Sequence, residues 1–267
     1  MTTSTKPSPS PQIVSRAHWL AARRELLALE KQHTKARERL TALRQALPWV
    51  KVDQPYVFTT PAGPRALAEL FDGRRQLIIY HFMFGPGWEE GCPSCSFIMD
   101  HLDGMLPHLR ARDTAFTAIS RAPLAELEKF KQRMGWEFAW ASSAENSFNF
   151  DYHVSFTAEA LATGDGSYNF GPIPAGQLPV EELPGVSVFY RHEDGSVYHT
   201  YSAYARGLEM LLGAYHWLDL TPKGRDEGAL NFTMAWLRHH DRYDDHYTID
   251  PERSYVPPKG SICRHCE

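Results

Sequence analysis

Residues 76–84 read QLIIYHFMF, a run of β-branched and aromatic side chains that suits a buried central strand. A Gly-rich loop over 85–91 follows, then Cys92-Pro93-Ser94-Cys95. From 96 to 112 the apolar residues Phe97, Ile98, Leu102, Met105 and Leu109 recur at helical spacing. Two cysteines therefore stand where a buried strand hands over to a helix. The pattern continues with a strand over 114–120, a helix over 123–134 opened by Pro123, and a strand over 137–142. This β-α-β-α-β order predicts an α/β fold, a mostly parallel or mixed sheet with helices on its faces.

Other segments frame that core. Residues 55–71 read as a short strand, a Pro-Ala-Gly-Pro turn and a brief apolar segment, and 155–183, rich in Gly and Pro, reads as an insertion. Strands over 186–190 and 196–200 are joined through His192-Glu193-Asp194-Gly195, a hairpin signal. A closing helix is expected over 206–220 and a shorter one over 227–239, inside an irregular C-terminal extension over 221–267. At the other end, 1–15 reads as a disordered lead-in and 16–48 as a long helix. Trp19, Ala22, Leu26, Leu29, Ala36, Leu40, Leu43 and Leu47 make a heptad stripe in which His33 fills the one gap, and Pro48 stops it. Such a stripe either clamps on its own domain, here expected over 49–220, or forms a homodimer seam.

Composition narrows the function. Lys plus Arg number 28 against 32 Asp plus Glu, a net charge of −4, so no basic surplus exists to meet nucleic acid or an anionic membrane. No run of about 18 apolar residues is present, and the Ser/Thr/Pro-rich start has no apolar signal core. A cytoplasmic address is expected. Four cysteines, paired as Cys92/Cys95 and Cys263/Cys266, are too few to staple a chain of 267 residues, and in a reducing compartment that spacing points to redox or metal chemistry.

A dithiol exchanges with disulfides when one thiol is partly ionised and the second is near enough to resolve the mixed disulfide. Helix-terminal N–H groups favour thiolate, and Pro93 suits a first helical turn. Cys92 is thus expected to attack and Cys95 to resolve. Glu89 and Glu90 oppose this, since nearby carboxylates raise a thiol pKa. Two other readings stand beside it: inert core cysteines, or a copper or zinc site from Cys92 and Cys95 with His81 or His101. Trp88, on the loop, is a candidate cleft residue. His81 is either a neighbour of Cys92 or a core histidine. The terminal Cys263-Arg264-His265-Cys266 is a candidate second dithiol or an incidental tail, and the histidines of the final third, His192, His199, His216, His239, His240 and His246, read as a solvated polar face. Nucleotide-, flavin- and serine-hydrolase motifs are absent.

Several idiosyncratic strings carry a resemblance: Leu47-Pro48-Trp49-Val50, His81-Phe82-Met83-Phe84-Gly85-Pro86, Gly91 to Phe97, Ser120-Arg121-Ala122-Pro123, Met134-Gly135-Trp136 and Asp151-Tyr152. With them, the stretch from about Trp19 to Tyr255 resembles a bacterial thioredoxin-like family of unknown function, related to peroxiredoxins. The resemblance implies a thioredoxin-like fold and thiol-disulfide oxidoreductase chemistry on a thiol or disulfide substrate, with no cofactor. It also implies a cis-proline before the 186–190 strand, with Pro184 as candidate. A peroxidase is the alternative, but where peroxiredoxins carry Thr three residues before the peroxidatic Cys, this chain has Glu89. A carboxylate there would repel peroxide anion and thiolate alike.

Overall fold

The computed structural model describes residues 11–178 and 180–243, in two compact units, one ending at Trp49 and one starting at Val50. The first is dominated by α1 (Arg16–Gln45), whose Ser15 hydroxyl caps the start by accepting from the His18 N–H at 3.3 Å. None of its 30 residues is buried, and Leu26, Leu29, Leu40 and Leu43 of the heptad stripe are exposed.

The second unit is built on one eight-stranded sheet. In chain order its elements are β1 (Val50–Lys51), β2 (Val57–Thr60), β3 (Gly63–Ala66), β4 (Gln76–His81), α2 (Pro93–Met99), α3 (Leu106–Ala111), β5 (Thr114–Ser120), α4 (Leu124–Met134), β6 (Ala139–Ser142), α5 (Phe148–Asp151), α6 (Ala158–Thr163), β7 (Ser167–Tyr168), β8 (Gly171–Pro172), β9 (Gly185–Arg191), β10 (Val197–Tyr204) and α7 (Gly213–Leu218). The strand order is β1-β10-β9-β4-β5-β6-β2-β3, with β4, β5 and β6 mutually parallel and β9 and β10 antiparallel beside them. A parallel β-α-β-α-β core closed by an antiparallel hairpin is the thioredoxin-like arrangement, and it puts the dithiol at the carboxyl end of the central strand.

Alternation along β4 sorts its side chains between two cores. Leu77 and Ile79 join Phe58, Phe71, Ile119 and Phe189 on one face. Tyr80, with Phe82 just beyond the strand, joins Cys92, Cys95, Phe130 and Trp140 on the other. Residues 155–183 carry α6, the separate β7–β8 ribbon and a small apolar cluster of their own around Phe156, Leu161 and Ile173.

Three expected helices differ. The helix over 96–112 breaks after Met99, because Gly104 and Pro107 lie in its path and the Asp103 carboxylate is occupied with the N–H groups of Glu137 and Phe138 at 2.8 and 2.9 Å. The closing helix divides into a 3-10 stretch, Ala205–Leu211, and α7, with Gly213 at the junction against the His101 ring. Residues 227–239 are not helical. There the Glu227 carboxylate gathers the Met234 N–H, the Trp236 indole N–H and the Tyr215 hydroxyl, which folds the segment back on itself. No helix among the described residues is long and apolar enough to cross a membrane.

Candidate active site around Cys92 and Cys95

Cys92 is the N-cap of α2 and Pro93 occupies its first turn. The Cys92 N–H donates to the Met83 carbonyl at 3.0 Å, and its own carbonyl accepts the Ser96 hydroxyl at 2.9 Å, so the loop returns tightly onto the end of β4. Gly91 is required there. A Cβ at Gly91 would lie 2.6 Å from the Phe82 ring and 2.9 Å from Phe130.

Both thiols are reduced and buried, Cys92 at 4% exposure and Cys95 at 1%. Their protons are unequal. A hydrogen bond from the Cys95 thiol is the main influence holding Cys92 below the ordinary thiol range; the N–H groups of Cys95 and Ser94 add to it, and burial opposes. Cys95 is pushed well above that range by burial first and then by the charge on Cys92. Of the two, Cys92 is therefore the thiol that ionises first.

The expected opposition from Glu89 and Glu90 is not met. Glu89 is exposed, and the Glu90 carboxylate is bridged by Arg133 at 2.8 Å and by Arg242. Two guanidiniums offset its charge. The same segment contradicts the reading of His239 as part of a solvated face. His239 is 1% exposed, its Nε2 meets the Gly91 carbonyl at 2.9 Å and its Nδ1 meets the Arg133 guanidinium at 3.0 Å. Asp241 binds Arg133, and His240 binds Asp100 at 2.7 Å. Residues 239–242 thus strap the loop immediately before Cys92.

A cleft of about 80 Å3, large enough for several waters, is lined by Cys95 and Ser94 and by the apolar side chains of Met83, Ile98, Leu208, Leu212 and Met234. Cys92 is not among its walls. Tyr80 also lines it. That residue is 1% exposed, its hydroxyl has no hydrogen-bond partner among the described residues in the resting pair, and the O–H is placed to favour a Cys95 thiolate. The mouth carries Arg206, Glu209, Arg225 and Glu227, and its charges are answered locally. Arg206 and Arg225 bridge Glu209 at 2.7 and 2.8 Å, and Arg225 also bridges Asp219 at 2.8 Å while lying over the Tyr215 ring.

The remaining candidates divide. Pro184 lines the cleft just before β9, but no cis peptide occurs among the described residues, so the expected cis-proline is absent. Trp88 packs over Gly85 against the core, outside the cleft. His81 is a core histidine on the opposite face of the sheet from Cys92, stacked on Phe148 and Tyr152. Its Nε2 meets Ser187 at 2.9 Å, Ser187 meets Ser202 at 2.8 Å, and Ser202 meets His199 at 2.8 Å, a hydrogen-bonded chain across three strands. Burial depresses the His81 pKa to about 3, so the ring is neutral. His101 lies against Phe97 and Gly213. The set Cys92, Cys95, His81 and His101 is therefore not assembled, and no group of three or more His, Cys, Asp or Glu poised to hold a metal ion occurs among the described residues. Cys263 and Cys266 lie outside the described residues.

Sequence alone passed over Tyr80, Arg133 and the cleft walls. Strand parity offered a signal for Tyr80, which alternates with Ile79 and His81. Nothing local offered one for the cleft.

A family model described as "Bacterial protein of unknown function (DUF899)" matches residues 8–243. No curated protein matches. Among solved structures, the chain is similar to peroxidoxin BcpB from Mycobacterium tuberculosis, with 13% identity, 62% of this chain and 94% of that one covered, and a TM-score of 0.41. It is similar to peroxiredoxin Q from Xanthomonas campestris, with 13% identity, 64% and 98% covered, and a TM-score of 0.41. A hypothetical protein from Sinorhizobium meliloti matches with 15% identity, 58% and 70% covered, and a TM-score of 0.36.

Proposed function

The chain belongs to the DUF899 family of bacterial proteins of unknown function, and within that family we propose that it is a cytosolic thiol-disulfide oxidoreductase whose working group is the Cys92–Cys95 pair. The observation that carries the reading is the placement of the pair: Cys92 is the N-cap of α2 and Cys95 lies in its first turn, both thiols free, an arrangement that favours ionisation of Cys92 over Cys95. A dithiol so placed exchanges readily, because the thiolate is both the nucleophile in one direction and the better leaving group in the other. Exchange transfers two electrons with the sulfur atoms themselves and calls for no further group.

The cycle is short. In the disulfide form Cys92 and Cys95 are bonded to each other. A substrate thiolate opens that bond, one protein sulfur leaves as thiolate, and a second substrate thiolate releases the substrate disulfide. The reverse sequence reduces a disulfide. A peroxidase would instead oxidise Cys92 to a sulfenic acid and condense it with Cys95.

One titration tests the reading. The chain is equilibrated at a series of glutathione potentials, free thiols are alkylated, and the bond is located by mass spectrometry in wild type and Cys92→Ser. The expected result is a reversible Cys92–Cys95 disulfide with one defined midpoint, abolished by the substitution. Failure to form that bond under any oxidant overturns the reading. A sulfenic acid on Cys92 formed by stoichiometric hydrogen peroxide, with no exchange against glutathione, replaces it with the peroxidase.

A further inference from the structure

Resting on the oxidoreductase reading, we propose that the cleft beside α2 is the binding site for a small thiol with an uncharged, apolar body, and that exchange with it occurs at Cys95 rather than at Cys92. Three independent features lead there. The cleft reaches Cys95 and Ser94 but not Cys92, while Cys92 lies behind a loop strapped by His239 and Arg242. Met83, Ile98, Leu208, Leu212 and Met234 make its walls largely apolar, and its size excludes a folded partner. The buried Tyr80 hydroxyl also lines it, beside the Cys95 sulfur, where it can donate to charge that develops on that sulfur.

The mouth explains the choice of an uncharged body. Arg206 and Arg225 are engaged by Glu209, Asp219 supplies a further carboxylate to Arg225, and Glu227 holds three donors. Glu227 is held by neutral donors alone, and both arginines are already engaged, so no cation at the rim is left over to attract a carboxylate. A hydrophilic thiol such as glutathione would carry two carboxylates and an ammonium past apolar walls, with no free cation to repay the dehydration of the carboxylates.

The chemistry follows from which sulfur is reached. The substrate thiolate RS− attacks the Cys95 sulfur of the Cys92–Cys95 disulfide. An RS–S bond to Cys95 forms, the Cys92–Cys95 bond breaks, and its electron pair leaves on Cys92. A second RS− attacks the substrate sulfur of the mixed disulfide, RSSR departs, and the Cys95 thiolate takes up a proton. Two thiols are oxidised and one protein disulfide is reduced. Access and leaving-group quality then act together, since the attacked sulfur is the one in the cleft wall and the departing sulfur is the one whose charge the protein stabilises. Tyr80 donates to Cys95 as charge develops there, a positioning role.

The experiment uses the full chain with Cys263→Ser and Cys266→Ser, so that only the inner pair reacts. Oxidised protein is mixed with benzyl mercaptan, quenched with acid, and the benzyl adduct assigned to one cysteine by fragment-ion mass spectrometry. At least a tenfold excess of adduct on Cys95 is expected. The rate per thiolate is expected to exceed that of glutathione at least tenfold, and Leu208→Trp, which fills the cleft, should slow benzyl mercaptan far more than glutathione and so remove most of that preference. Where Leu208→Trp does not fold, Leu212→Trp serves, and the benzyl-to-glutathione ratio on the unmutated cleft decides without either. Adduct on Cys92, or equal rates for the two thiols, overturns the inference and leaves the oxidoreductase reading standing. Absence of any Cys92–Cys95 disulfide to attack overturns both.

Discussion

The ring of His239 and the carbonyl of Gly91, 148 positions apart in sequence, meet at 2.9 Å. A carbonyl only accepts and the Arg133 guanidinium at the other ring nitrogen only donates, so the neutral Nε2–H tautomer satisfies both. Burial, the largest influence on this ring, also holds its pKa below the ordinary histidine range. The C-terminal extension is thereby fastened to the residue next to Cys92.

Cutting that fastening should expose Cys92. His239→Ala removes the bond to Gly91, and Arg242→Ala removes one of the two guanidiniums on Glu90. Iodoacetamide modification of Cys92 is expected to accelerate about tenfold in the double variant, equivalent to roughly 1.4 kcal/mol of strap closure. Raised salt should accelerate the wild type in the same direction, since the partly exposed Arg242 pair is screened. Unchanged labelling would mean that the strap does not govern access.

Tyr80→Phe tests the buried hydroxyl. Because the only acceptor beside the O–H among the described residues is the Cys95 sulfur, a weak one while protonated, its loss should change thermal stability by no more than about 0.5 kcal/mol. The Cys95 thiolate, however, loses a donor, so the upper of the pair's two thiol titrations should move further up, while the lower, which reports the charge on Cys92, stays in place. Thiolate absorbance against pH reads both steps. A downward move of the upper step would contradict the placement of Tyr80.

How much of this was legible beforehand depends on distance along the chain. The strand over 76–84, the dithiol at its end and the β-α-β-α-β order are local patterns, and periodicity reads them. The face a side chain occupies was also legible in part: residues 77, 79 and 81 share parity, so His81 had to lie with Leu77 and Ile79 and away from the cysteines, and Tyr80 had to lie toward them. The strap and the cleft were not legible. They arise from contacts between residues 80–98 and residues 184–242, and a single sequence holds no signal for which distant arginine answers Glu90. Broken helices fall between these cases, since Gly104, Pro107 and Gly213 stood in the sequence as breakers inside an otherwise helical spacing.

Gly91→Ala should be the most damaging conservative change in the loop. Its new methyl would meet the Phe82 and Phe130 rings, both closed in by the core, at distances that real contacts do not show. Overpacking of this kind costs about 1–3 kcal/mol. Urea unfolding should therefore give a lowered midpoint at unchanged slope, whereas Gly87→Ala, on the same loop with open space around it, should cost mainly its positive φ of 77°.

His81 and Glu182 together should give stability an unusual dependence on pH. Burial lowers the folded pKa of His81 to about 3, below its unfolded value, so its contribution is complete above about pH 6.5 and is lost as pH falls from there toward 3. Glu182 behaves oppositely. Buried at 2% exposure between Arg121 at 2.8 Å and the Ser155 hydroxyl at 2.6 Å, it is raised to about 7, mainly by burial. A carboxyl raised above its unfolded value stabilises while protonated, so its contribution is full below about pH 4.5 and is lost as pH rises through 7. The raised range corresponds to roughly 3 kcal/mol. Glu182→Gln should therefore flatten the fall between pH 4.5 and 7 relative to wild type, and the difference between the two urea-derived stabilities, plotted against pH, should change by kilocalories across that window and stay level above it. A difference that is level across the window would place Glu182 as an ionised partner of Arg121 throughout, and the burial argument for its proton would fail.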